Sequence, residues 1–233
     1  MKKFISIFAI AAVAALAFVS CSKDDDKDNG GKELSDAEKA MCTDIGLSVY
    51  WANCNLGAES PSDYGDYYAW GELNPKSKDK FTLNNYAWYK DGKMSKYNIA
   101  GTTLEAGDDA AHNYPDYINL SKYWRMPTAD ELQELVSTKS FNEDYKWEWI
   151  TLDDEHEGYR ITYLKNNNSI FIPAAGYTND GIDTFVNFAG MYWSSSLNDE
   201  EKAVGMFILD PPGTGNESRP RYHGLSIRAV REK

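Results

Sequence analysis

Residues 124–135 read Trp-Arg-Met-Pro-Thr-Ala-Asp-Glu-Leu-Gln-Glu-Leu, and this stretch carries the clearest local signal in the chain. Thr128 can accept a hydrogen bond from the backbone N–H three residues on, and Glu131 can reach back to the N–H of Thr128. That reciprocal pair is a capping box, which marks a helix start. Behind it, Leu132, Leu135 and Val136 share one face, so the spacing predicts an amphipathic helix over 129–138.

Outward from this helix the periodicity changes from helical to alternating. On the C-terminal side, 158–165 alternate Tyr159, Ile161 and Tyr163 with Arg160, Thr162 and Leu164; Asn166-Asn167-Asn168 is a turn, and 169–173 return as a second strand. Further strands are expected at 191–195, 203–209 and 225–230. On the N-terminal side, 45–53 alternate Leu47, Val49 and Trp51 with Ser48, Tyr50 and Ala52. Residues 60–80 are rich in turn formers around an aromatic cluster and predict an ordered loop, while 35–39 can open a short helical turn. Many short strands with few, capped helices predict an α+β domain with a twisted antiparallel sheet.

The N-terminus is of a different kind. Lys2 and Lys3 precede an apolar run from Phe4 to Val19, then Ser20 and Cys21, then a polar acidic tract with Gly30-Gly31. A basic start, an apolar centre and a small residue before the cut define an export signal. Leu16-Ala17-Phe18-Val19-Ser20-Cys21 resembles a bacterial lipobox with Cys21 as the acylated residue, although Phe18 is bulkier than usual. Each acyl CH₂ buried in a bilayer adds about 0.8 kcal/mol, so several chains on Cys21 anchor the protein to a membrane. The chain therefore divides into a signal (1–20), a lipidated cysteine with a flexible acidic tether (21–41) and a globular domain (42–233). The acidic tether resembles the signal that sends some lipoproteins to the outer face of the Gram-negative outer membrane.

The formal net charge of −12 over 233 residues excludes a basic stripe that could follow phosphates, so no nucleic-acid partner is expected. Cys42 and Cys54 would lie in an oxidising compartment, where a disulfide between them is permitted, subject to strand register. There is no CxxC and no His-rich spacing to propose zinc.

Six ordered blocks, at 46–58, 63–72, 123–135, 168–177, 190–196 and 224–230, resemble the Fibrobacter succinogenes major paralogous domain, a C-type lectin-like module of secreted lipoproteins. The resemblance runs from Thr43 to the C-terminus. It implies a C-type lectin-like fold with one or two short helices and long loops, and ligand binding through loops near the last strands. It also implies that Tyr192-Trp193-Ser194-Ser195-Ser196 is a strand with Trp193 inward. The Glu-Pro-Asn and Trp-Asn-Asp strings of calcium-dependent sugar binders are absent. The late cysteines of the formylglycine-generating branch are absent too.

No catalytic constellation stands out. Ser194–Ser196 lack a nucleophile elbow, only His112, His156 and His223 could act as a base, and Glu131 is committed to the helix cap. Arg228 is expected to be a structural ion-pair partner. No cofactor is expected. Asn179, Asp180 and Asp183 form a weak oxygen cluster that could hold calcium, which turn chemistry explains as well. Binding residues are expected on irregular stretches at 197–202, with Asn198, and at 210–223, with Arg219, Arg221, Tyr222 and His223, because loops carry function on a rigid scaffold. The expectation is a non-enzymatic cell-surface lipoprotein binding an extracellular glycan or protein. A structural subunit of a surface assembly is the alternative, and a carbohydrate-active hydrolase a weaker one.

Overall fold

Ser35 caps the first helix, α1 (Asp36–Met41), by accepting from the Glu38 N–H while the Glu38 carboxylate accepts from the Ser35 N–H. In the computed structural model, which describes residues 33–141, 143–153, 155–209 and 213–233, this helix begins the folded unit Gly31–Lys233. The signal, Cys21 and the tether up to residue 32 lie outside the described residues. The domain therefore starts earlier than residue 42: Glu38 is buried and its carboxylate pairs with Arg231 at 3.3 Å.

The chain continues through β1 (Cys42–Thr43), β2 (Val49–Ala52), β3 (Tyr89–Lys90), β4 (Lys93–Met94), α2 (Pro115–Ile118), β5 (Trp124–Arg125) and α3 (Ala129–Phe141). Then come β6 (Tyr145–Leu152), β7 (His156–Tyr163), β8 (Asn168–Pro173), β9 (Tyr177–Asn179) and β10 (Ile182–Thr184). The last strands are β11 (Ala189–Leu197), β12 (Lys202–Leu209), β13 (Gly213–Pro220) and β14 (Val230–Glu232). The sheets run β1-β2-β14-β5, β6-β7-β8 and β11-β12-β13, with hairpins β3-β4 and β9-β10. All pairings between these strands are antiparallel. The fold is α+β, mostly antiparallel sheet with few helices.

Helix α3 starts at the residue its cap predicts. Thr128 Oγ1 accepts from the Glu131 N–H at 3.2 Å, and Glu131 Oε2 accepts from the Thr128 N–H at 2.8 Å. Arg125 grips the same carboxylate with two N–H groups at 2.8 and 2.7 Å, which joins β5 to the first turn of the helix. Leu132, Leu135 and Val136 pack as expected against Ile161, Ile172, Met206 and Ile208. Each such side chain contributes about 1.5–3 kcal/mol by leaving water.

Period-two alternation sends neighbouring residues of one strand into two different cores. Trp51 and Tyr192 face the α3 core, whereas Ala52, Met191 and Trp193 face a second core with Trp70, Trp124 and Ile227. The strand read at 45–53 keeps its alternation, but only Val49–Ala52 join a ladder; Ile45 and Leu47 are buried ahead of it. The strand read at 225–230 is shifted, because the ladder forms at Val230–Glu232 while Leu225 and Ser226 make isolated bridges to Tyr68 and Tyr192. The short strands β1, β3, β4, β5, β9 and β10 were not expected, and of the longer ones β6 and β13 were not expected either. Strand β6 is visible in hindsight as Tyr145, Trp147 and Trp149 alternating with Lys146 and Glu148. Strand β13, Gly-Thr-Gly-Asn-Glu-Ser-Arg-Pro, lacks apolar residues and is strand only because it pairs with β12 from end to end.

The expectation for Arg228 is corrected, and the disulfide left open between Cys42 and Cys54 is not formed. Arg228 is wholly buried yet meets no carboxylate among the described residues; its guanidinium donates to Asn55 Oδ1 at 2.8 Å, Ala52 O at 2.9 Å and Phe171 O at 2.9 Å. Cys42 and Cys54 are both free. The β1–β2 register sets Cys42 opposite Ala52, so Cys54 falls two residues beyond its reach, and the Cys42 thiol donates to Glu38 O at 3.2 Å.

Candidate functional site

The stretch expected to be a binding loop is a strand followed by a tight turn, and that changes the role of each residue in it. Arg219 sits on β13 opposite Ala203. Arg221 is 0% exposed. It donates to Tyr86 Oη at 3.0 Å and to the carbonyls of Lys96, Tyr97 and Glu200 at 3.0, 3.3 and 3.0 Å, with its guanidinium over the Trp70 and Tyr86 rings. Its donors are spent on the protein, so Arg221 is a clamp holding the loops together and not a ligand-binding group. Tyr222 is half-buried and His223 nearly closed off.

What remains accessible is organised around Tyr177 on β9. Arg219 lies over its ring at 5.0 Å, and the His223 ring stacks on it at 5.6 Å. Tyr222 meets His223 edge-on at 4.9 Å. On the other side Phe185 lies 6.3 Å from Tyr177, and Phe188 lies 6.0 Å from Phe185. Five rings from Phe188 to Tyr222 thus form one continuous run, with the Arg219–Glu217 ion pair, at 2.6 Å, beside its centre. Such ring spacings fall in the range where aromatic pairs attract.

The exposed end of this run is rigidly presented. Phe185 and Asn187 have positive φ values of 63° and 60°. Asn187 Oδ1 accepts from the Glu157 N–H at 3.1 Å and from the Tyr64 hydroxyl, so the turn is pinned from beneath. Ile182, Phe185, Val186 and Phe188 are left open to solvent, at 68%, 48%, 36% and 54% exposure. Large apolar side chains grouped in this way mark an interaction surface more often than chance exposure does. Burial pushes the His223 imidazole down to about 4, helped by the positive charge of Arg219, so it stays neutral at ordinary pH.

At its other end, Tyr222 opens onto a cleft of about 400 Å³ lined by Leu83, Tyr89, Met94, Lys93 and Lys202. The turn carrying Asn198 borders this region: Asn198 is exposed, and its amide donates to Asp199 Oδ2 at 2.7 Å. Structure therefore brings Arg219, Tyr222 and His223 together and leaves Asn198 at the margin.

Asn179, Asp180 and Asp183 do not converge as a cation site. Asp180 and Gly181 are the positive-φ centre of the β9–β10 turn, where φ is 48° and 79°, and the Asp183 carboxylate pairs with Lys78. Among the described residues no three His, Cys, Asp or Glu side chains group as metal ligands. Trp193 points inward as expected, donating to Tyr68 O at 2.8 Å. Ser194 and Ser195 donate to Val204 O and Pro127 O, and Ser196 Oγ accepts from the Ala129 N–H. Tyr177, Phe185 and Phe188 were missed in the sequence reading. Their signal was apolar residues, Phe185, Val186 and Phe188, in a turn-rich stretch with no period that could bury them.

Comparison with protein-family models, with curated proteins and with the solved structures finds no match for this chain.

Proposed function

We propose that this protein is a lipid-anchored, cell-surface binding protein whose C-type lectin-like domain takes an extracellular glycan on the run from Phe188 to Tyr222, without catalysing a reaction. The observation that carries the reading is that run: five rings in sequence, of which Phe185 and Phe188 are solvent-exposed, beside an Arg–Glu pair. Sugar rings offer apolar C–H faces to aromatic surfaces and hydroxyls to charged hydrogen-bonding groups, and this surface presents both. The lectin-like reading is supported by the antiparallel sheets, the few helices and the long irregular segment between β2 and β5. Outer-membrane anchoring rests on Lys2, Lys3, the apolar run and Cys21. Engagement of Ser194, Ser195 and Ser196 with the backbone supports a non-enzymatic role.

A second reading, a subunit of a surface assembly, is favoured by Ile182 and Val186. These aliphatic side chains are exposed beside the rings and contribute nothing to sugar stacking. One experiment separates the two. Full-length protein in detergent is screened on a broad glycan array with calcium and with chelator. Saturable, chelator-insensitive binding that falls at least about tenfold in Tyr177→Ala and Phe185→Ala supports the glycan reading. A blank array from folded protein, with neighbouring surface proteins captured through the same residues, supports assembly instead.

A further inference from the structure

A second cleft, of about 480 Å³, shares no lining residue with the aromatic run. Its wall includes Asp66, Tyr68, Leu73, Asn74, Asn113 and Tyr114. Asp66 is half-buried against the Cα of Gly57, a glycine at φ 80° where an added Cβ would stand 2.3 Å from Asp66 Oδ2. Among the described residues no cation and no hydrogen-bond donor reaches this carboxylate, and burial pushes its pKa above the usual aspartate value. Tyr68 is 1% exposed as a residue, but its hydroxyl is not closed off from solvent: it opens at the cleft wall and makes no hydrogen bond among the described residues. Tyr114 Oη accepts from the Gly57 N–H at 3.1 Å and keeps a second lone pair. A partly desolvated carboxylate without a counter-ion is costly unless something completes it, and the two phenol oxygens at the same cleft are open to a donor.

We propose that this cleft binds an organic ammonium group, with the Asp66 carboxylate as counter-ion and the Tyr68 and Tyr114 hydroxyl oxygens as its other two acceptors. An ammonium carries three N–H donors, which matches three oxygens, and its charge answers the one the protein leaves unpaired. A neutral polyol would leave that charge uncompensated. A calcium ion needs six or more oxygens, and this wall offers a single carboxylate. The ammonium could belong to an amino sugar or to a basic peptide side chain.

The test is titration calorimetry of the full-length protein in detergent with glucosamine, with lysine methyl ester and with N-acetylglucosamine, in which the charge is removed. Binding of either amine, with N-acetylglucosamine inert, is expected, and whichever amine binds tighter identifies the source. Asp66→Asn keeps the shape of the site and should weaken the amine at least about tenfold. Tyr68→Phe should weaken it less while leaving the unfolding midpoint unchanged, and Tyr177→Ala should leave it unaffected. Equal binding of N-acetylglucosamine, no binding of either amine to folded protein, or an unchanged affinity in Asp66→Asn would overturn the proposal. Because Tyr177 lies outside this cleft, failure here and failure of the glycan reading are read from different variants.

Discussion

Three arginines, Arg221, Arg228 and Arg231, are wholly buried, and each is satisfied differently. Arg231 has the Glu38 carboxylate, Arg221 has a ring of carbonyls with the Tyr86 hydroxyl, and Arg228 has two carbonyls and the Asn55 amide. Five fixed donors let one guanidinium tie several loops at once, which a lysine could not do. His223 shows the opposite economy: its buried Nδ1 has no partner and its burial favours the neutral ring. Its folded pKa of about 4 lies below the ordinary 6.5, so the unfolded chain takes up the proton first as pH falls. Stability is therefore fully present above pH 6.5 and declines as pH drops toward 4, by on the order of 3 kcal/mol. Denaturant melts between pH 7 and 5 check this, because His223→Gln should lose most of the slope there. Burial pushes the Glu38 carboxylate up, but hydrogen bonds from Ser35 and Ser121 outweigh it and hold the group at about 2. Its contribution is thus lost at lower pH, in a separate window.

Helix α3 shows how local chemistry and packing divide the work. Thr128 and Glu131 define its first turn, and three apolar side chains hold it against the sheets. Thr128→Ala removes one half of the cap, leaves the Arg125–Glu131 pair in place, and should cost about 1 kcal/mol by urea titration with the m-value unchanged. This cap, the α3 face and the β7–β8 hairpin were all legible, because each is written in residues a few positions apart. Strand β13 was not. Its glycines at 213 and 215 carry no pattern, and they face the Phe207 ring, where an added Cβ would lie 3.2 Å away. The residue types report a turn, and the partner strand overrides them.

Across the described domain, the first and last strands lie in one sheet. Strand β14 lies between β2 and β5, with Val230 opposite both Trp51 and Arg125. A chain stopped after Ala229 loses that central strand and the Arg231–Glu38 pair together. It should remain unfolded, seen as lost near-ultraviolet dichroism and rapid proteolysis. A sheet joined by the first and last strands also demands long-range closure before its reward, which slows folding.

From sequence alone come the helix and its cap, several of the longer strands and the free choice between core and surface for the aromatics, together with the expectation of an export and lipidation signal at Cys21. Those follow from periodicity and short motifs, which act over a few residues. Only the tertiary structure decided that Arg221 is a clamp, that Arg228 needs no carboxylate, that Cys42 and Cys54 do not meet, and that Tyr177, Phe185 and His223 form one surface. Each of these depends on register and on contacts between residues tens to hundreds of positions apart, and no local pattern encodes which residues those contacts will join.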